Sequence, residues 1–471
     1  MPPEKSAYAL ARYSRSPDSI RQSLEWVRTH DEKAFLESYY FQYGHASIAD
    51  LGHAIVCFEG VSELAAVEVE DEPLWDGQAK SSRYQDFAKD GVVTPAEIAG
   101  DPAAAGLYRE AAGALLDAYH DVQKRVFEHL ARRHPRPEAM KPEAWRRTMN
   151  ARAYDVARYL LFLGIPTNLG QVTSIRTLEK QIRRLGASCY GEIRELAAEL
   201  AQACASEPGC VWEEGTSREP LAPTLARHAD PDAWSQQSRA NVEAWAAANL
   251  PERPAQVQDA SVDLVRPRDP LDEIVATLLY GPTQRSFRDL YEDVAGWSAA
   301  RKREVVEVAL DGRPRREEMA REFRSGYGFV FDIVTDVGAY RDLHRHRRCI
   351  QVRQAYTESL GFETPAAVRD AGLEQMYAGT MERAREARGR LAAMSPLVSH
   401  YLLPFATRVR CLFKMDFAEA EYMARVRSGV KGHFSYREVA WRMKQKLEEA
   451  APELGRLVEA TPPWVEDALT R

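Results

Sequence analysis

The chain repeats itself, and that repetition constrains its fold more than any single segment does. An apolar, strand-like run from His53 to Phe58 leads into Glu59-Gly60-Val61-Ser62. In the second half, Phe329 to Val334 leads into Thr335-Asp336-Val337-Gly338. Further on, Arg158-Tyr159-Leu160-Leu161-Phe162 is echoed by His400-Tyr401-Leu402-Leu403-Pro404. Glu179 follows Leu161 at the interval by which Glu421 follows Leu403, and Tyr190-Gly191-Glu192-Ile193 is matched by Tyr436-Arg437-Glu438-Val439. The echoes keep one order and a nearly constant offset, 242 residues for Leu161/Leu403 and 246 for Glu192/Glu438. Two copies of a long unit cannot stack into a repeat array, so the pattern reads as a divergent tandem duplication.

The copies are separated by a change of composition. From about Ser206 to Asp272 the chain turns rich in Pro, charged residues and Gln, as in Pro251-Glu252-Arg253-Pro254 and Arg266-Pro267-Arg268-Asp269-Pro270. Ala240 to Asn249 can form a linking helix, but most of the stretch carries no sustained apolar period. This places a first domain at 1–220, a linker at 221–255 and a second domain at 256–471, since 471 residues exceed one ordinary core. Helical periodicity is clear over 111–133, 177–184, 190–205, 374–393 and 436–450. Each half is expected to be α/β (α+β), a mostly antiparallel sheet with flanking helices.

Composition narrows the function classes. At 45% apolar and 28% charged residues the chain reads as water-soluble and globular. A net charge of −7 supplies no global field for nucleic acid or an acidic membrane, so an anion site must be a local basic pocket. The six cysteines show neither C-x-x-C nor zinc spacing and read as reduced thiols, with no metal site. Met1-Pro2-Pro3-Glu4-Lys5 opens no signal segment and no run reaches membrane-spanning length, so a cytoplasmic protein without a membrane partner is expected.

Two polar clusters stand out, one in each half: Ser81-Ser82-Arg83-Tyr84 and His344-Arg345-His346-Arg347-Arg348. Serine hydroxyls, backbone N–H groups and a guanidinium on one turn suit a phosphate dianion. The plainer readings are a polar turn and a solvated basic helix end. If extended, the second cluster would send His344 and His346 to one face and Arg345 and Arg347 to the other; if helical, they would fan out. His53 and His433 read as structural.

The halves resemble flavin-dependent thymidylate synthases, whose hallmark is R-H-R-x-x-S-x-x-x-x-S-x-R after a strand ending near E-G-V-S. The first half has Glu59-Gly60-Val61-Ser62, but Asp71-Glu72-Pro73 stands where R-H-R is expected and Asp76 at the first serine; it then keeps Ser81 and Arg83. The second half does the reverse. It has Arg345-His346-Arg347, with Ile350, Ala355 and Thr357 at the serine and closing arginine positions. His45-Ala46-Ser47-Ile48-Ala49-Asp50 resembles the family's flavin-contacting H-x-[ST]-x-x-E, with Asp for Glu. Ala157-Arg158-Tyr159-Leu160-Leu161 resembles A-R-x-x-L-P, whose arginine reaches the nucleotide phosphate, whereas the second half has His400 there. Arg176 aligns with a flavin-contacting arginine (Ala418 in the second half) and Arg427 with a nucleotide arginine, Arg184 being its first-half equivalent after a one-residue deletion.

The resemblance implies sites shared between the halves, each furnishing what the other has lost. Arg345 and Arg83 would be the catalytic groups. Ser81, Ser82, Arg83, Arg158, Arg184 and Arg427 would bind substrate, and His45, Ser47, Asp50, Arg176, His346 and Arg347 the cofactor. It implies reductive C5 methylation of a uracil nucleotide, dUMP to dTMP, with FAD as cofactor, methylenetetrahydrofolate as carbon donor and NADPH as reductant. Arginines aimed at the uracil carbonyls would make C5 nucleophilic without a cysteine nucleophile, and a homodimer would form a four-domain pseudo-tetramer. The alternatives are the same chemistry on another uracil nucleotide, a flavin- or nucleotide-binding homologue without turnover, and a nucleic-acid binder using the 344–348 run.

Overall fold

In the computed structural model, residues 1–30, 37, 46–209, 219–251, 253, 262–314 and 317–469 are described. The chain folds as two compact units that interleave along the sequence. One comprises Met1–Lys80, Thr167–Gln236 and Pro314–Arg316; the other, larger, comprises Ser81–Pro166, Gln237–Arg313 and Glu317–Arg471. Among the described residues no helix is long and apolar enough to cross a membrane.

The smaller unit is built on three strands, β1 (His53–Ser62), β2 (Asp76–Ala79) and β3 (Pro166–Ser174), in the order β1-β3-β2. β2 runs antiparallel to β3 with Asp76 opposite Val172. β1 and β3 each end on a serine that caps the next helix. Ser62 Oγ accepts from Ala65 N (3.0 Å) at the start of Glu63–Glu70, and Ser174 Oγ from Thr177 N (3.2 Å) at the start of Ile175–Gly186. The Gly191–Ala205 helix follows, and its Glu192 carboxylate accepts from Ser62 N (2.8 Å) and Oγ (2.6 Å).

The larger unit carries β4 (Val262–Val265), β5 (Phe329–Asp336), β6 (Ile350–Arg353) and β7 (Arg408–Met415), antiparallel in the order β4-β5-β7-β6. β5 is buried along almost its whole length, as a central strand is, its apolar residues interrupted by Asp332. One face packs Val330, Val352 and Leu412 on a core with Val275, Leu279 and Phe287, while the Phe434–Ala450 helix lies on β4 and β5. The charges inside this sheet are paired, Arg410 Nη1 with Asp332 Oδ2 (2.9 Å) and Lys414 Nζ with Glu273 Oε1 (2.7 Å). Part of the middle stretch joins this core: Ala233–Asn249 is helical and buries Val242, Trp245 and Ala246, a stripe too short to register as a period.

The duplication is visible as element order. Strand, capped helix, long helix (Pro102–Arg133; Glu374–Met394), 3-10 turn (Arg158–Leu160; Val398–Leu402), strand, 12-residue helix and final helix occur twice. The caps correct two registers proposed from sequence. Asp336 caps its helix as Ser62 does, so Ser62 pairs with Asp336 and not with Gly338. Likewise the final helices begin after Tyr190 and His433, so Glu192 pairs with Ser435, one helical turn before Glu438. The bond between those positions is kept with its polarity reversed. Ser62 donates to Glu192 in one copy, and the Ser435 hydroxyl donates to Asp336 in the other.

Within the larger unit the two echoes meet. Phe162 forms a bridge with its own counterpart, Pro404. Around it Leu163 N donates to Leu403 O (3.1 Å) and Phe405 N to Leu161 O (2.7 Å), while Gly164 N donates to Tyr401 O (2.6 Å) and Ala406 N to Tyr159 O (3.1 Å). Shifting any of these bonds by 242 residues gives its partner bond, which is the reciprocity of a two-fold interface. The long helices of the two copies also pack on one another.

Candidate functional site

The divided motif comes together in the larger unit. Arg83, on the turn after Ser81-Ser82, directs Nε to Asp155 Oδ1 (2.8 Å), Nη1 to Tyr436 Oη (3.1 Å), and Nη2 to Lys431 O (3.0 Å) and Asp155 Oδ2 (3.4 Å). Four of its five N–H groups are thus directed at protein acceptors, and one on Nη1 has none among the described residues. Tyr436 then links the halves. Its ring lies 6.0 Å from the Arg83 guanidinium and 5.6 Å from that of Arg427.

Arg427 Nε donates to His346 Nε2 (2.8 Å), and His346 Nδ1 lies 3.0 Å from Glu419 Oε1. Arginine is an obligate donor, so Nε2 must be an acceptor and the imidazole proton sits on Nδ1, facing Glu419. Burial, opposed by Glu419 and assisted by the Arg427 charge, holds the His346 pKa below its ordinary value and keeps the ring neutral. Arg427 therefore ends on a neutral partner, and it forms no ion pair among the described residues.

Arg158 is 2% exposed, on the 3-10 turn that follows the Pro142–Ala157 helix. Both its Nη atoms reach Asp342 Oδ2 at 3.2 Å, and its buried Nε finds no acceptor among the described residues. Burial pushes the Asp342 carboxyl up, but Arg158, then Arg345, Arg83 and Arg341, more than offset it and hold it below the usual range. Gly338 makes room: a Cβ there would meet Asp336 Oδ1 at 3.1 Å and Arg158 Nη2 at 3.4 Å. Asp336 accepts from Tyr159 Oη (3.0 Å), Ala339 N (2.7 Å) and the Ser435 hydroxyl, and its burial raises its pKa to about 6.

Beside Tyr436 runs an open groove of about 410 Å³ lined by Val426, Gly429, Val430, Lys431, Gly432 and Tyr436, within the ~300–1,000 Å³ usual for small-molecule sites. Gly432 holds its turn tight, since a Cβ would come within 2.8 Å of Tyr436 and Arg437 side chains.

The 344–348 run is neither strand nor helix. His344 ends the Val337–Leu343 helix and a turn follows, so the side chains neither alternate nor fan evenly. Arg345 and Arg347 are half-buried and Arg348 exposed; Arg345 forms no ion pair among the described residues, although its charge acts on Asp342. Ser81 Oγ accepts from Arg83 N (3.4 Å), and Ser82 is buried. His433 caps the final helix through Ser435 N and contacts Asp155 O (2.9 Å).

The other sequence-derived positions lie in the smaller unit. Asp50 accepts from Arg176 Nη1 (2.9 Å) and Ser174 Oγ (3.4 Å), and Ser47 is exposed on the Ala46–Leu51 turn. His45 lies outside the described residues. Arg184 is held by protein: Nε to Glu72 Oε1 (2.8 Å), Nη2 to Glu68 O (2.7 Å). A second hollow of about 260 Å³ in this unit is lined by residues including Cys57, Glu59, Lys80 and Asn168.

Sequence reasoning missed Asp155, Asp342 and Glu419, and it took Tyr436 only as an echo. Asp342 carried a signal, lying three residues before Arg345 and so one helical turn away. Asp155 and Glu419 are joined to their arginine and histidine only through space.

The profile of a family described as thymidylate synthase complementing protein matches residues 1–207 and 325–453, well over half of the chain. A UPF0159 protein of Thermoplasma acidophilum is 25% identical over 96% of this chain and 94% of its own length. One of Chlamydia muridarum is 25% identical over 87% of this chain and 77% of its own. Among solved structures, thymidylate synthase X (ThyX) from Helicobacter pylori with FAD and dUMP is 16% identical over 47% of this chain and 95% of its own, at a TM-score of 0.25.

Proposed function

The chain belongs to the thymidylate synthase complementing protein family, and from that membership we propose that it carries out flavin-dependent reductive methylation at C5 of a uracil nucleotide, most simply dUMP to dTMP. Residues 1–220 and 256–471 are the two family-like copies, and the working site draws on both. The observation that carries this reading is the chain of contacts Arg83–Tyr436–Arg427–His346, which joins the first copy's surviving motif end to the second copy's surviving motif start.

The residues fit the groups the reaction requires. Arg345 and Arg427 are half-buried cations without ion pairs among the described residues, suited to a phosphate or to uracil carbonyls that gain charge. Arg158 has a buried, unpartnered Nε, the kind of orphaned donor a nucleotide oxygen would satisfy. Arg83, through its remaining Nη1 hydrogen, and Ser81 complete the substrate contacts. Neutral His346 orients Arg427, and Arg347 with Arg345 supplies charge for the flavin phosphates. In the smaller unit Ser47, Asp50 and Arg176 are the corresponding cofactor contacts. When bound, FAD supplies the redox chemistry, with methylenetetrahydrofolate as carbon donor and NADPH as reductant.

The test is direct. The purified protein is expected to show the absorbance bands of oxidised flavin, and the gene to rescue a thymidine auxotroph. Colourless protein with no rescue would overturn the reading. One observation favours a second reading, a nucleotide- and flavin-binding homologue without turnover: Arg83 and Arg158 already hold protein carboxylates. Flavin reduction that is indifferent to dUMP would select it.

A further inference from the structure

We infer that the duplicated chain retains one nucleotide site instead of two, and that at the counterpart positions Arg184 is closed by a built-in anion, the carboxylate of Glu72. The inference rests on the reading above for what the site binds and goes beyond it in fixing the number and in giving Glu72 a role.

The reciprocal bonds around Phe162 and Pro404 are those of a two-fold within the larger unit, and a duplicated sequence gives each site residue a counterpart position in the other copy. Each member of the cluster in the larger unit therefore has a counterpart. By the registers of the caps, Arg83 corresponds to Thr357, Arg158 to His400, and Arg345-His346-Arg347 to Asp71-Glu72-Pro73. Asp342 corresponds to Glu68 by the same register, whereas Asp155 and Glu419 meet Leu397 and Thr177. Arg427 has Leu185 at its strict position, and Arg184, one residue earlier, makes the equivalent bond.

The losses all fall on one side. The cluster has five arginines against three carboxylates; the counterpart positions have one arginine against three carboxylates. His400 does not restore charge, because burial, then Arg388 and Arg353, push its pKa down to about 4. A phosphate dianion is attracted by the five-arginine cluster, whereas the smaller unit by itself sets Glu68, Asp71 and Glu72 against Arg184 alone.

The two arginines show the same contrast atom by atom. Arg427 Nε donates 2.8 Å to a neutral imidazole, which leaves its positive charge for a ligand. Arg184 Nε donates 2.8 Å to the carboxylate of buried Glu72, with Glu68 closing the other side through its carbonyl. Where one copy has a neutral acceptor and waits for an anion, the other carries the anion in its own sequence.

Titration calorimetry of the full chain with dUMP reads the number directly. One equivalent per chain is expected, weakened at least tenfold by Arg427→Ala and also by Arg427→Lys, which keeps the charge but not the Nε bond. The same single equivalent is expected of Arg184→Ala, with a lowered melting temperature as its only effect. Two equivalents in the native chain, or loss of the equivalent in Arg184→Ala, would overturn the inference and leave the nucleotide reading standing. No saturable binding by the native chain would sink that reading, and the inference with it.

Discussion

Arg184 in the smaller unit and Arg427 in the larger stand near the same point of a repeated helix, yet one is a structural ion pair and the other a cation held on a neutral ring. The difference lies in the acceptor that each meets, Glu72 against His346, with Arg184 one residue before the strict counterpart Leu185. A carboxylate neutralises a guanidinium and consumes its hydrogen bonds; a neutral imidazole orients it and leaves the charge. Equivalent positions in a duplicated fold can thus be divided between stability and binding without moving the backbone elements that carry them.

The contrast can be broken most sharply at Asp342. Asp342→Ala leaves the buried Arg158 charge without its partner, and a loss of about 3–5 kcal/mol in urea unfolding is expected. Glu72→Ala removes the partner of an arginine that keeps more solvent, and a smaller loss of about 1.5–3 kcal/mol is expected from the same measurement. Equal losses would remove the distinction between the two units.

Acid sharpens the comparison further. His346, His400 and His433 all have pKa values lowered chiefly by burial, His400 to about 4, and all lie in the larger unit. Unfolded histidines take up protons near pH ~6.5, so at pH 5 the unfolded chain binds more protons than the native one. This stability is whole above that pH and is lost as pH falls toward the folded values. Asp336, raised to about 6 by burial, works the other way: its contribution is whole below ~4 and fades as pH rises through 6. With His134 also lowered by burial and Asp332 also raised by it, four histidines act against two carboxyls in the larger unit, which predicts a lower melting temperature at pH 5 than at pH 7.5, with faster amide exchange there. Unchanged exchange there would contradict neutral native histidines. The smallest effect is expected at Glu421, whose i,i+4 pair with Arg425 lies on the protein surface; Glu421→Gln should shift stability by less than ~0.5 kcal/mol.

Much of the fold was legible because it is local. The helices at 111–133, 190–205 and 374–393 follow from apolar period, and the duplication from ordered echoes. What escaped was set through space. The offset between copies changes along the chain as loops differ in length, so Glu192 was matched with Glu438 where capping selects Ser435. The site was legible as two residue clusters, but Asp155 and Glu419 have no sequence neighbour that announces them. Arg184 was read as a ligand contact because its helix position resembles that of Arg427; its acceptor, 112 residues earlier, was invisible.

The seam at Phe162 and Pro404 also bears on how such a molecule can change. In a homodimer, any alteration beside the symmetry axis is made on both sides at once, and a useful asymmetry has no way to arise. Joining both copies in one polypeptide lets each flank mutate alone while the ladder of reciprocal bonds still holds them face to face. Arginine at 158 where the other copy has histidine at 400 is a mismatch that such covalent tethering permits.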